Sequence, residues 1–270
     1  MAGSHRKALH HRRRDRDVRS ELFYRIVVTK RAAVTTEPNP TLSHATTRTV
    51  HCADALLWLK EAPALAASFV ASMPDISEFS GWSVPAWQEW FISTARLILS
   101  RTDPEGLTVF YQSDIKVEGL WVDKGFLVQR AAELEGHQLL WHKIACRVQP
   151  GQVTYGRPSY SHILCFSRNI RLDPGSATAD VIPDLGEKTW ERGMGLQACL
   201  MIAAAIRQHT KTTTVVNPFC GEGSMLAAAN ALGLDAVGVE RSPKRAERSR
   251  LLQVQPDRSG WIQAADRRPY

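Results

Sequence analysis

The stretch Val215-Val-Asn-Pro-Phe-Cys-Gly-Glu-Gly-Ser-Met-Leu-Ala-Ala-Ala-Asn230, followed by Val237-Gly-Val-Glu240, decides how this chain folds. A β-branched run, a proline turn with two glycines, an alanine-rich run and a second β-branched run read as strand, tight turn, helix and strand. The expected strands are 213–217 and 236–240, around a helix over 224–232. Such a turn lets a ligand approach the backbone near Gly221 and Gly223, where a Cβ would stand in its way. Glu240, at the carboxyl end of the second strand, is placed to accept hydrogen bonds from ribose hydroxyls. A lone G-x-G is common in turns, whereas this whole combination at one strand-helix-strand spacing is specific.

Working outward, the chain alternates strand-like and helix-like segments from Thr49 onward, which favours an α/β sheet over an all-α or all-β fold. Helical spacing covers 54–60, 85–100, 125–135 and 195–208; strand patterns cover 67–73, 107–112, 138–148 and 161–166. The turn-rich segment 150–158 joins the last two strands into a long hairpin expected at a sheet edge. Upstream, 24–29 reads as a short edge strand and 37–41, with two X-Pro pairs, as a loop.

Hydrophobic residues make up 44% and charged residues 23% of the 270, a globular composition that excludes collagen-like, coiled-coil and disordered classes. Cys52, Cys146, Cys165, Cys199 and Cys220 are scattered singly, which argues against a zinc ribbon or a disulfide framework and for a reducing compartment. The histidines His10, His11, His51, His142, His162 and His209 show no metal-ligand spacing, so no metal is expected. No apolar run is long enough for a membrane span and no signal-peptide core follows Met1, so an intracellular protein is expected, in cytoplasm or nucleus. Charge is concentrated: residues 1–20 hold seven arginines and lysines against two aspartates, or +5 of the formal net charge of +7. A basic block without apolar periodicity is expected to be a disordered arm that binds a polyanion, addresses the chain to nucleus or mitochondrion, or is only a solvated tail.

The loop N-P-F-C-G-E-G-S resembles the [DN]-P-F-x-G-x-G-[ST] loop of S-adenosylmethionine-dependent methyltransferases. The form is shared by the N6-adenine and N4-cytosine amino-methyltransferases of DNA and by several RNA guanine methyltransferases. The resemblance implies that Asn217, Phe219, Cys220, Gly221 and Gly223 hold the methionine side of the cofactor and Glu240 its ribose. Asn217 stands where aspartate is commoner, keeping an acceptor and losing a charge. Val50-His-Cys-Ala-Asp-Ala-Leu56 is similar to the family's G-D-A-L, which makes Asp54 the contact to adenine. Ser72-Met73-Pro74-Asp75 falls where the family has its catalytic [DNS]-P-P-[YFW]. There the first side chain and the next carbonyl accept from a target amine, and the aromatic stacks on the base. Met73 and Asp75 depart from that pattern, leaving Asp75 as either a general base or a rim residue, and Phe79 or Trp82 to stack on the base.

Because the catalytic segment precedes the cofactor loop, the resemblance is to the circularly permuted class. The segment Thr189 to Leu200 then corresponds to the helix under the methionine, and Arg157 to Arg168 to the family's edge strand. The expected fold is a Rossmann-like methyltransferase, a largely parallel sheet with an antiparallel edge hairpin, over 49–270, after an arm at 1–20 and an extension at 21–48. The implied function is methylation of a nucleic-acid base at nitrogen, RNA preferred over DNA because no large target-recognition domain is visible. A catalytically silent RNA-binding or partner subunit and a small-molecule or protein methyltransferase are the rivals. Met194 and Cys220 also fit as packing residues, and Trp58, Trp87, Trp90 and Trp121 as core.

Overall fold

A computed structural model describes residues 45–262; the basic arm, the strand expected at 24–29 and the loop at 37–41 lie outside the described residues. The first strand, β1 (Arg48–Cys52), is followed by α1 (Ala55–Glu61), β2 (Ala67–Ala71), α2 (Val84–Arg101) and β3 (Thr108–Gln112). A small hairpin, β4 (Ile115–Val117) and β5 (Leu120–Val122), leads into α3 (Lys124–Leu134), β6 (Gln138–Cys146), β7 (Tyr160–Ser167) and the two-residue β8 (Val181–Ile182). The chain ends its described course through α4 (Leu196–His209), β9 (Thr214–Asn217), α5 (Ser224–Ala231), β10 (Asp235–Glu240), α6 (Pro243–Leu251) and the pair β11 (Gln253–Val254) and β12 (Trp261–Ile262).

Eight strands form one sheet in the order β1-β10-β9-β2-β3-β7-β6-β8. The first five run parallel, and β7 and β6 add on antiparallel as expected of the hairpin. Strands β9 and β10 thus sit between β1 and β2, strands from the other end of the chain, which fits the permuted order. Two expectations are corrected. The segment expected as an edge strand, β7, lies between β3 and β6, and the hairpin is itself covered by β8, which pairs parallel with Ile144 and Ala145 of β6. That two-residue strand has too short a pattern to be read from sequence.

Alternation along the strands explains the layers, because successive side chains point to opposite faces. Val70, Val109, Tyr111, Ile163 and Cys165 face a core built with Ile202 and Ile206 of α4 and Met225 and Leu226 of α5. Phe69, Ala71, Phe110, Leu164 and Phe166 face the other core, with Trp87, Phe91 and Ile98 of α2 and Val128 of α3. A sheet buried on both faces has to carry near-continuous apolar strands, which is why β2 and β3 show no polar alternation. Of the tryptophans read as core, Trp87 is fully buried, but Trp121 is 48% exposed on β5.

His137, at the start of the segment leading into β6, is 5% exposed with neither ring nitrogen hydrogen-bonded among the described residues. Burial, helped by the charge of Arg168, pulls its pKa down from 6.5 to about 4. The unfolded chain therefore binds a proton below pH 6.5 that the fold refuses until about pH 4, so this residue makes the fold less stable as pH falls through that window. Replacement of the imidazole by leucine (His137→Leu) is expected to remove about 2 kcal/mol of acid sensitivity. Urea unfolding of both proteins at pH 7 and pH 4.5 measures it: the gap between them should widen on acidification.

Candidate active site

The carboxyl ends of the parallel strands open onto one cavity of about 300 Å3, a volume within the range of small-molecule sites. Asp54 follows β1, Ser72 to Asp75 follow β2, Gln112 ends β3, Asn217 to Gly221 follow β9 and Glu240 ends β10; all line the cavity. The two segments singled out as cofactor loop and catalytic tetrapeptide meet here because β2 and β9 are neighbours in the sheet.

On one side, the turn after β9 is left-handed at both glycines, φ +56° at Gly221 and +89° at Gly223, a conformation that favours residues without a Cβ. Their surroundings differ. A Cβ on Gly223 would lie 2.8 Å from Ser249 Cα, so this glycine admits α6 against the turn, and it does not line the cavity. Gly221 does line it, and a Cβ there would meet the Trp190 ring at 3.6 Å; its left-handed backbone angle favours glycine. Asn217 is buried in the cavity wall, and its Oδ1 accepts from the Phe219 N–H at 3.1 Å, which holds the turn. Cys220 is a packing thiol, its pKa pushed up to about 12 by burial. Glu240 Oε1 accepts from the Ser242 N–H at 2.7 Å and lies 3.3 Å from Arg245 Nε. The Arg245 guanidinium in turn sits 5.3 Å from the Trp190 ring centre. Asp54 Oδ1 caps α1, accepting from the N–H groups of Leu56 and Leu57, while the residue stays exposed at the cavity mouth.

On the other side, Met73 is 4% exposed and Ser72 and Pro74 are half-buried along the wall. Asp75 is neither a free base nor a rim residue: its Oδ1 accepts from Lys124 Nζ, and its Oδ2 lies 3.6 Å from Arg157 Nη2. The Lys124 side chain is 3% exposed; burial pulls its pKa down, and the Asp75 carboxylate only partly restores it. Lysine is held there because its own N–H, at the start of α3, donates to Asp114 Oδ1 at 2.8 Å. Asp114 also accepts from Trp121 Nε1 at 3.0 Å and bonds His162 Nε2 at 2.9 Å, while His162 Nδ1 meets His142 Nε2 at 2.8 Å. Burial raises the Asp114 carboxyl, and these partners outweigh it, leaving the pKa below its ordinary value. Asp114, Asp123 and His162 gather three potential ligand atoms within 4.8 Å. Asp123 Oδ1 caps α3 through the Phe126 N–H, so the cluster works as a polar support beneath Lys124.

Phe79 lines the cavity and packs on Trp90 at 4.5 Å and on Trp82 at 4.9 Å between ring centres. The expected contact residue Trp82 does not line the cavity and is 44% exposed, whereas Trp90, expected in the core, does line it. Lys124, Arg157, Trp90, Trp190 and Arg245 are among the cavity residues that sequence reasoning missed. Trp90 carried no signal of its own: three residues after Trp87 on the same helix, it falls on the same face and reads as core.

No protein-family model matches the chain, and none of the curated proteins matches it. Solved structures do. A protein of Thermus thermophilus provisionally assigned as a DNA modification methylase, solved with S-adenosyl-L-methionine, superposes with a TM-score of 0.58 at 19% identity over 75% of this chain and 91% of its own. The cytosine-N4-specific PvuII DNA methyltransferase gives 0.60 at 16% identity, over 76% of this chain and 86% of its own. The fold is the Rossmann-like methyltransferase fold.

The Lys124–Asp75 pair yields a stability prediction, since removing one member of a buried pair strands the other charge. Asp75→Asn should cost about 3 kcal/mol, and the double change Asp75→Asn with Lys124→Met should cost less than the single. Urea unfolding of the four proteins of the cycle measures the coupling.

Proposed function

We propose that this protein transfers a methyl group from S-adenosylmethionine to an amino nitrogen of a nucleic-acid base. One observation carries the reading: Ser72 and Met73 just after β2 and the Asn217–Gly221 turn at the end of β9 line one cavity from adjacent strand ends, with Glu240 one strand further on. The residues suit the cofactor. An acid at the end of β10 is placed for ribose hydroxyls, and Glu240 stands in the cavity wall. S-adenosylmethionine supplies a methyl group on a sulfonium, and the protein's part is alignment. Ser72 Oγ and the Met73 carbonyl would accept from the target amine and leave its lone pair directed at the methyl, with Phe79 and Trp90 as the flat wall for the base. Asp75, held by two cations, orients Lys124 and Arg157 at this wall.

DNA is the substrate to test first. The preference for RNA rested on the missing recognition domain, yet this chain spans 86% of an enzyme named for cytosine N4 of DNA. The altered tetrapeptide favours one second reading, a binding subunit of the same fold without turnover.

Calorimetry should show S-adenosylmethionine binding, weakened by about 1 to 3 kcal/mol in Glu240→Ala. Ser72→Ala should leave that binding intact and lower kcat at least about tenfold. Incorporation of labelled methyl into DNA and RNA of cells lacking the protein identifies the substrate. Absence of cofactor binding in the folded wild type would remove the enzyme reading; binding without transfer to either nucleic acid would leave the subunit.

A further inference from the structure

A second concavity, of about 600 Å3, adjoins the cavity and shares Arg147, Arg157, Leu185 and Lys188 with it. It lies between the loop joining β6 to β7 and the segment around Leu185. The charged residues that line it are three cations, Arg147, Arg157 and Lys188, and one acid, Asp184. That acid is engaged locally, its Oδ1 accepting from the Gly186 N–H at 2.8 Å.

The cations are held in place by carbonyl oxygens. Lys188 Nζ donates to the Glu191 carbonyl at 2.7 Å and Arg147 Nη1 to the Pro158 carbonyl at 3.5 Å. Neither forms an ion pair among the described residues, and Arg157 shares Asp75 with Lys124. A carbonyl orients a cation without neutralising it, so the groove keeps its positive charge. Burial and the neighbouring charges of Arg147 and Arg157 together depress the Lys188 pKa, the mark of like charges held close. The loop that carries two of the three is itself tied down: Arg147 N–H donates to the Ser159 carbonyl at 2.7 Å, and Thr154 Oγ1 to the Arg157 carbonyl at 2.7 Å. At its rim Tyr155 is 92% exposed, a ring with no packing role.

We infer that this groove binds a phosphodiester of the nucleic acid next to the target base, with Arg147 and Lys188 on the phosphate oxygens and Arg157 joining groove to cavity. An arginine and a lysine that converge without an ion pair of their own, beside an arginine that shares Asp75 with Lys124, suit a phosphate, which takes several N–H donors at once. The inference rests on the methyltransferase reading and adds to it the face by which the strand enters: over the β6–β7 loop, away from the Glu240 side.

The test is fluorescence anisotropy of labelled duplex and single-stranded oligonucleotides with the full chain, across a salt series, for wild type, Arg147→Gln and the double Arg147→Gln with Lys188→Gln. The arm at 1–20 is constant in all three, so differences report the groove. Each change should weaken binding roughly tenfold at low salt and flatten the slope of log K against log salt by about 0.7 to 0.9. Calorimetric affinity for S-adenosylmethionine should stay the same, which also shows that the variants fold. Equal affinity and slope in wild type and double variant overturns the groove while leaving the methyltransferase reading in place. Loss of cofactor affinity in the double variant overturns it too, assigning the cations to the cofactor's carboxylate. A wild type that binds cofactor but no oligonucleotide overturns both.

Discussion

Everything at the site depends on the register between β2 and β9. Ala67, Ser68 and Phe69 lie level with Thr214, Val215 and Val216, and a buried hydroxyl pins them there: Ser68 Oγ meets Thr212 Oγ1 at 2.7 Å and accepts from the Leu107 N–H at 3.1 Å. A slip by one residue would turn every side chain of the strand to the opposite face and move the tetrapeptide by about 3.3 Å relative to the glycine turn. Two segments from opposite ends of the chain are thus made into one cavity by a polar contact at the far end of the strands. That contact is also where an apolar core spends its few buried hydroxyls, because a hydroxyl left unpaired inside the sheet would cost more than it returns.

Much of this architecture was legible because each element stated itself locally. The glycine turn, the alanine-rich helix behind it and the V-G-V-E strand carry their own periodicity, and the bounds of the helix and its two flanking strands each differ from the expected ones by one residue at one end. The hairpin of β6 and β7 was legible for the same reason. What covers it was not, since Val181 and Ile182 become a strand only by meeting Ile144 and Ala145.

The site was legible as backbone and illegible as charge. Glycine and proline report local geometry, so the strand ends that form the cavity could be named from sequence. Lys124 looks like any solvated residue at a helix start; it is buried because Asp114 fixes its N–H and Asp75, 49 residues away, receives its ammonium. The same holds for Asn217, Asp54 and Gly223: their presence was expected, whereas the contacts each makes within the chain, to the turn, the helix cap and α6, could not be read from sequence.

The two-residue strand β8 has a consequence beyond the site. Without it, the nine-residue β6 would offer one side of its backbone as an unpaired row of donors and acceptors, a template for strands of other chains. The segment is drawn onto that edge by Lys143, 3% exposed, whose ammonium donates to the carbonyls of Thr178 and Ala179, and by the Ile144 N–H, which donates to the Asp180 carbonyl at 2.8 Å. A single buried lysine in mid-strand therefore shields part of that edge: by tethering a passing loop, it brings Val181 and Ile182 against Ile144 and Ala145 and takes those two positions out of reach of another chain.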